Sequence, residues 1–126
     1  MPNVPVTIES LAHGGDGVGR LPDGRTVFVP LSCPGDEAEI EVTEDHGRWA
    51  RGAIARLVRA SADRVEPPCP YFGTCGGCSW QHIGYTRQLQ AKRQNLTDVL
   101  TRIGRMQDPP VEDPLAPGPP YGYRNR

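Results

Sequence analysis

The sequence predicts a mainly β protein: a small five-stranded barrel, then a cysteine-rich loop, then one α-helix. Three observations carry this. Between Val4 and Val58, short alternating apolar runs are separated by turns rich in Gly, Pro and Asp. Three of the four cysteines fall between Cys69 and Cys78. Helical spacing of apolar residues occurs in one stretch, from Tyr85 to Gly104. At 126 residues, 37% of them hydrophobic, the chain has room for one ordinary domain with a small core. Its 15 glycines and 14 prolines favour short strands and turns.

The barrel elements follow in order. "VTIES" starts a strand, and "HGGDGVGR" is too rich in glycine to be helical. In "LPDGRTVFVP" an Asp23-Gly24 turn precedes a strand with Val27 and Val29 on one face and Thr26 and Phe28 on the other. "CPGD" makes the next turn. "EAEIEV" alternates cleanly, setting Ala38, Ile40 and Val42 against Glu37, Glu39 and Glu41. After a turn at "EDHG", Arg48 to Val58 is the last strand. Five short strands in about sixty residues fit a closed or nearly closed barrel of the OB type.

Charge divides sharply along the barrel, although the whole chain is nearly neutral, at −1 with a pI near 6.3. That balance argues against a wholly basic nucleic-acid binder. Asp36 to Asp45 holds six acids and no base, whereas Arg48 to Arg64 holds five arginines against Asp63. Basic barrels with an exposed aromatic bind single-stranded nucleic acid, and Trp49 between Arg48 and Arg51 is a candidate. A solvated strand balanced by its acidic neighbour, with Trp49 in the core, accounts for the same pattern.

Cys69, Cys75 and Cys78 are spaced C-x5-C-x2-C, with Gly76 and Gly77 inside the tight pair. Three thiolates this close repel one another unless protonated or neutralised by metal. The N-terminus has no basic and apolar leader, and no run approaches a membrane span, so the chain reads as cytoplasmic, where close cysteines more often hold metal than form disulfides. Zinc asks for four nitrogen or sulfur ligands, and His82 follows Cys78 at C-x3-H spacing. An iron–sulfur cluster prefers four thiolates, recruiting Cys33 or a cysteine outside the chain. Cys33, in the turn after a strand, reads better as a small packed hydrophobe.

In the helix, Leu89, Leu96, Val99, Leu100 and Ile103 fall on one stripe, and Gly104 is a natural stop. Residues 108–120 contain six prolines and run extended, and "YGYRNR" begins something further. The expected divisions are a barrel over 1–62, a cysteine-rich loop over 63–83, a helix over 84–107 and a linker with the start of a missing domain over 108–126.

"GGDGVGRLPDGRTVFVPLSCPGDEAEIEV" resembles the TRAM domain, a small RNA-binding barrel. "CPYFGTCGGCSWQHIGYTRQLQAKRQNL" resembles the iron–sulfur segment of the bacterial RNA uridine-5-methyltransferases, in particular those acting on 23S ribosomal RNA, and "YGYRNR" resembles the opening of that family's next domain. The resemblance implies that Cys69, Cys75 and Cys78 hold a [4Fe–4S] cluster, with the fourth ligand outside these residues. It implies RNA as partner, ribosomal RNA first; the residues expected to meet it, because they combine charge with a stacking surface, are Arg25, Phe28, Arg48, Trp49 and Arg51. It also implies a full-length enzyme that uses S-adenosylmethionine, a nucleophilic cysteine and a carboxylate, none of which can be placed here. The chain alone is therefore expected to bind and not to methylate. The alternative is a free-standing zinc-binding RNA adaptor.

Overall fold

The computed structural model describes residues 3–74, 78–116 and 118–121. Five strands, β1 (Val4–Leu11), β2 (Gly17–Arg20), β3 (Thr26–Val29), β4 (Glu37–Asp45) and β5 (Trp49–Arg59), close a barrel in the order β1-β2-β3-β5-β4. All pairs are antiparallel except β3 with β5. Closure depends on β1 serving two partners. Its first half, Val4 to Thr7, pairs with β4, and its second half pairs with β2. The register shifts between Ile8 and Ser10, a bulge that bends the strand from one partner to the next.

The period-2 pattern sets the core. Val6, Ile8, Val27, Val29, Ala38, Ile40 and Ala50 are buried inside the barrel together with Leu21. The glutamates of β4 lie on the other face, and Val42 is only partly buried. The Asp23-Gly24 turn forms as expected: Leu21 and Arg25 close a loop in which Gly24 takes φ 92°. Gly17, the first residue of β2, is there for closeness, since a Cβ on it would fall on the Ser32 hydroxyl.

Residues up to Gly84 form one compact unit, so the cysteine segment belongs with the barrel. The second unit, from Tyr85 onward, carries α1 (Tyr85–Arg102). Its apolar stripe stays partly open, with Leu96, Val99 and Ile103 exposed. Arg93 draws the proline-rich segment alongside by bonding the Val111 carbonyl at 3.0 Å and meeting Asp113 at 3.5 Å. Gly104 does end the helix, but the left-handed residue is Arg105, at φ 55°. Glycine is needed at 104 because a Cβ there would stand 2.7 Å from the Leu100 carbonyl oxygen. No helix among the described residues is long and apolar enough to cross a membrane.

Candidate nucleic-acid interface and cysteine segment

The five residues expected to meet RNA gather at one end of the barrel, where the start of β3 lies beside the β4–β5 turn. The parallel register aligns Thr26 with Trp49 and Phe28 with Arg51. Phe28 and Trp49 meet edge to face, centroids 5.5 Å apart at 80°, a preferred aromatic geometry. His46 stacks on Trp49 at 4.1 Å, and the Arg51 guanidinium lies 5.9 Å from its ring centroid. Trp49 is thus half-buried in an aromatic and cationic group at the barrel's end, outside the apolar core.

The arginines divide into tied and untied. Arg25 bonds Asp23 at 2.9 Å, Asp45 at 2.7 Å and the Gly47 carbonyl at 3.2 Å. These contacts clamp the β2–β3 loop to the β4–β5 turn. The Asp45 and Asp23 carboxylates hold its guanidinium above the usual arginine range. The Gly47 amide and then Arg25 hold Asp45 below the usual carboxylate range. Arg51 meets Asp16 at 3.0 Å and Glu44 at 3.4 Å, and Arg56 meets Glu39 at 3.6 Å. Among the described residues, the Arg48 and Arg59 guanidiniums have no ion-pair partner, and both side chains are exposed. The acidic strand therefore offsets much of the arginine surplus, and among the described residues Arg48 is a cation beside Trp49 with no ion-pair partner.

Arg64 is absorbed differently. Asp36 is fully buried at the end of the "CPGD" turn. Its carboxylate accepts from the amides of Cys33 at 2.9 Å and Ser61 at 2.8 Å, and from the Arg64 guanidinium at 2.7 and 3.4 Å. Burial pushes this carboxyl up, but Arg64 and the two amides outweigh it and the acid rests below its usual range. Arg64 also reaches the Leu31 carbonyl at 2.9 Å, and the Ser61 hydroxyl donates to Pro34 O at 2.6 Å. This network fixes the chain where it leaves the barrel for the cysteines. Sequence reading missed it, although an Asp closing a Pro-Gly turn was a signal for an internal acceptor.

Trp80, Gln81 and His82 complete the attachment, each through a main-chain group. Trp80 Nε1 donates to Gly15 O at 3.0 Å, Gln81 Oε1 accepts from the Cys69 amide at 3.1 Å, and His82 Nε2 contacts Ser32 O at 2.9 Å. Since a carbonyl only accepts, Nε2 carries the proton, and Nδ1 is buried with no partner among the described residues. Burial first, and then Arg64, pushes the imidazole pKa down against the pull of the Ser32 carbonyl. Phe72 stacks on His82 at 5.3 Å, and both line a depression of about 450 Å³ between the end of β5 and the cysteine segment.

Of the expected metal ligands, Cys69 is half-buried and Cys78 exposed; Cys75 lies outside the described residues. Cys69, Cys78 and Cys33 are all free thiols. Cys33 is fully buried, and burial raises its thiol pKa. Among the described residues no three His, Cys, Asp or Glu side chains form a metal-holding group, so Cys69, Cys78 and His82 do not converge as a ligand set.

Residues 3–55, which span most of this closed five-stranded barrel, match the TRAM domain. Over nearly its whole length the chain is similar to proteins named RNA methyltransferases. An uncharacterized RNA methyltransferase of Gloeobacter violaceus is 44% identical over 98% of this chain and 27% of its own. The 23S rRNA (uracil(1939)-C(5))-methyltransferase RlmD of Thiobacillus denitrificans is 43% identical over 98% of this chain and 28% of its own. Among solved structures, the tRNA (uracil-54, C5)-methyltransferase of Pyrococcus abyssi is 33% identical, covering 75% of this chain and 21% of that one, with a TM-score of 0.47. The chain spans about a quarter of the length of the curated relatives it matches.

Proposed function

We propose that the chain is the RNA-binding, cluster-bearing N-terminal part of an S-adenosylmethionine-dependent RNA uracil-C5-methyltransferase, with ribosomal RNA as its substrate class. The observation that carries this reading is the similarity over 98% of the chain to a 23S rRNA uracil-C5-methyltransferase. The barrel's contribution is binding: Arg48 meets phosphate while Phe28 and Trp49, with Arg51 beside them, offer ring surface, and Arg25 holds the turn that carries them. Arg25 is a weaker phosphate ligand than Arg48 because carboxylates hold it on two sides.

Cys69, Cys75 and Cys78 supply three thiolates to a [4Fe–4S] cluster, and the fourth comes from outside these 126 residues. The free state of Cys69 and Cys78 and their access to solvent fit that role. Buried Cys33 does not, and His82 Nε2 is engaged with the barrel. A bound cluster would supply a rigid crosslink within the segment. Gln81 sets the backbone at Cys69 and Trp80 holds the segment to the barrel.

Iron, zinc and acid-labile sulfide per chain, measured after anaerobic purification together with a visible spectrum, test the cluster. Iron with matching sulfide is the expected result. Zinc at about one per chain without sulfide overturns it in favour of the adaptor.

A further inference from the structure

At the end of β3 and the start of β5 a depression of about 430 Å³ opens between Phe28, Trp49, Arg51, Asp16 and the His13-Gly14 turn. It falls within the range of about 300–1,000 Å³ typical of small-molecule sites. Two of its walls are aromatic and stand at 80° to each other, so a flat ligand lying on one ring meets the edge of the other. His46 does not line the cavity; it stacks on Trp49 and fixes the plane of that ring. The polar wall is one ion pair, Arg51 Nη1 to Asp16 Oδ2 at 3.0 Å. Among the described residues the other Asp16 side-chain oxygen accepts no hydrogen bond. The cavity thus combines ring faces with a carboxylate acceptor and a guanidinium donor side by side.

We propose that this cavity is a pocket for a single unpaired RNA base, read along its hydrogen-bonding edge by the Asp16–Arg51 pair. The inference rests on the RNA-binding reading above and adds a subsite and a preference to it. Unpaired bases are recognised by stacking on aromatic rings and by hydrogen bonds to their edges. Phosphate alone does not explain the lining, because a carboxylate in the wall repels it.

The carboxylate also sets the preference. Guanine, adenine and cytosine each carry an exocyclic amine that donates to Asp16 while a neighbouring acceptor takes a bond from Arg51. Guanine adds a second donor beside its amine. Uracil offers one N–H flanked by two carbonyl oxygens, and the carboxylate repels at least one of them. The pocket therefore disfavours uracil and holds a base other than a target uracil.

The test is fluorescence anisotropy of the 126-residue chain with eight-nucleotide single strands that are all uridine except for one varied central base. Strands with a central guanine bind about tenfold more tightly than the all-uridine strand, with adenine and cytosine between. The ratio persists as salt rises, although every affinity falls. Asp16→Asn narrows the ratio to about twofold, and Trp49→Ala removes it. Asp16 is a loop residue, so the first variant stands even where the second disturbs folding. Equal binding of all four strands, or a ratio unchanged in Asp16→Asn, overturns the pocket and leaves the RNA-binding reading in place. No binding of any strand overturns that reading itself and the pocket with it.

Discussion

Replacing Asp36 by alanine tests whether the cysteine segment is held to the barrel by a buried acceptor. The carboxylate is fully buried and receives two backbone amides and two guanidinium contacts. Deletion strands the Cys33 and Ser61 amides, at about 1 kcal/mol each. It also leaves Arg64 without its counter-charge. A fully buried broken pair costs about 3–5 kcal/mol. The Arg64 side chain is 24% exposed and keeps the Leu31 carbonyl, which brings that contribution to about 2 kcal/mol. The total, about 4 kcal/mol, is a large share of the 5–15 kcal/mol that stabilises a typical domain. Urea unfolding followed by circular dichroism, with the slope checked for constancy, gives the difference directly. Asp36→Asn keeps one acceptor and the shape, and loses about half as much. A loss below about 1 kcal/mol for Asp36→Ala would refute the argument.

Three further outcomes follow from the same geometry. The folded-state pKa of His82 lies below its unfolded value of about 6.5, so the unfolded chain binds the extra proton first. Stability is therefore full above that value and declines as pH falls through the window beneath it, and a His82→Phe variant shows a flatter profile between pH 7 and 5 in thermal melts. Gly15→Ala forces a side chain into φ 106° with its Cβ 2.9 Å from that of Ser79; it costs about 1–3 kcal/mol and speeds chymotryptic cleavage at Tyr71 or Phe72, whereas unchanged cleavage would mean Trp80 docks elsewhere. Cys33→Ser leaves bound iron and sulfide intact while lowering stability, because the residue is buried packing; a drop in metal content would place it among the ligands.

The barrel was legible in the sequence because its information is local. The alternation of "EAEIEV" and the Asp23-Gly24 turn are written in adjacent residues, and Ala38, Ile40, Val27 and Val29 are buried as that pattern requires. The aromatic end was half legible: Trp49 between two arginines gave the place, but Phe28 joins it only through the parallel β3–β5 register. Counting charges along the chain hid the pairing of Arg51 with Asp16 and of Arg64 with Asp36, since those partners lie 35 and 28 residues away. Trp80, Gln81 and His82 were conspicuous as a run, yet their roles depend on carbonyls and amides, which every sequence has and none advertises.

The turn between β1 and β2 serves two neighbours with consecutive residues. Gly15 receives the Trp80 indole through its carbonyl, and Asp16 places its carboxylate in the wall of the aromatic cavity. If occupancy of one side bears on the other, thermodynamic linkage makes that influence mutual. Whatever affinity a seated base loses when the cysteine segment is released, the segment gains back in anchorage when the base is present. Measuring either quantity fixes the other, so oligonucleotide affinity compared between the chain and a Trp80→Phe variant reports on the thiol-bearing loop from the opposite side of a single turn.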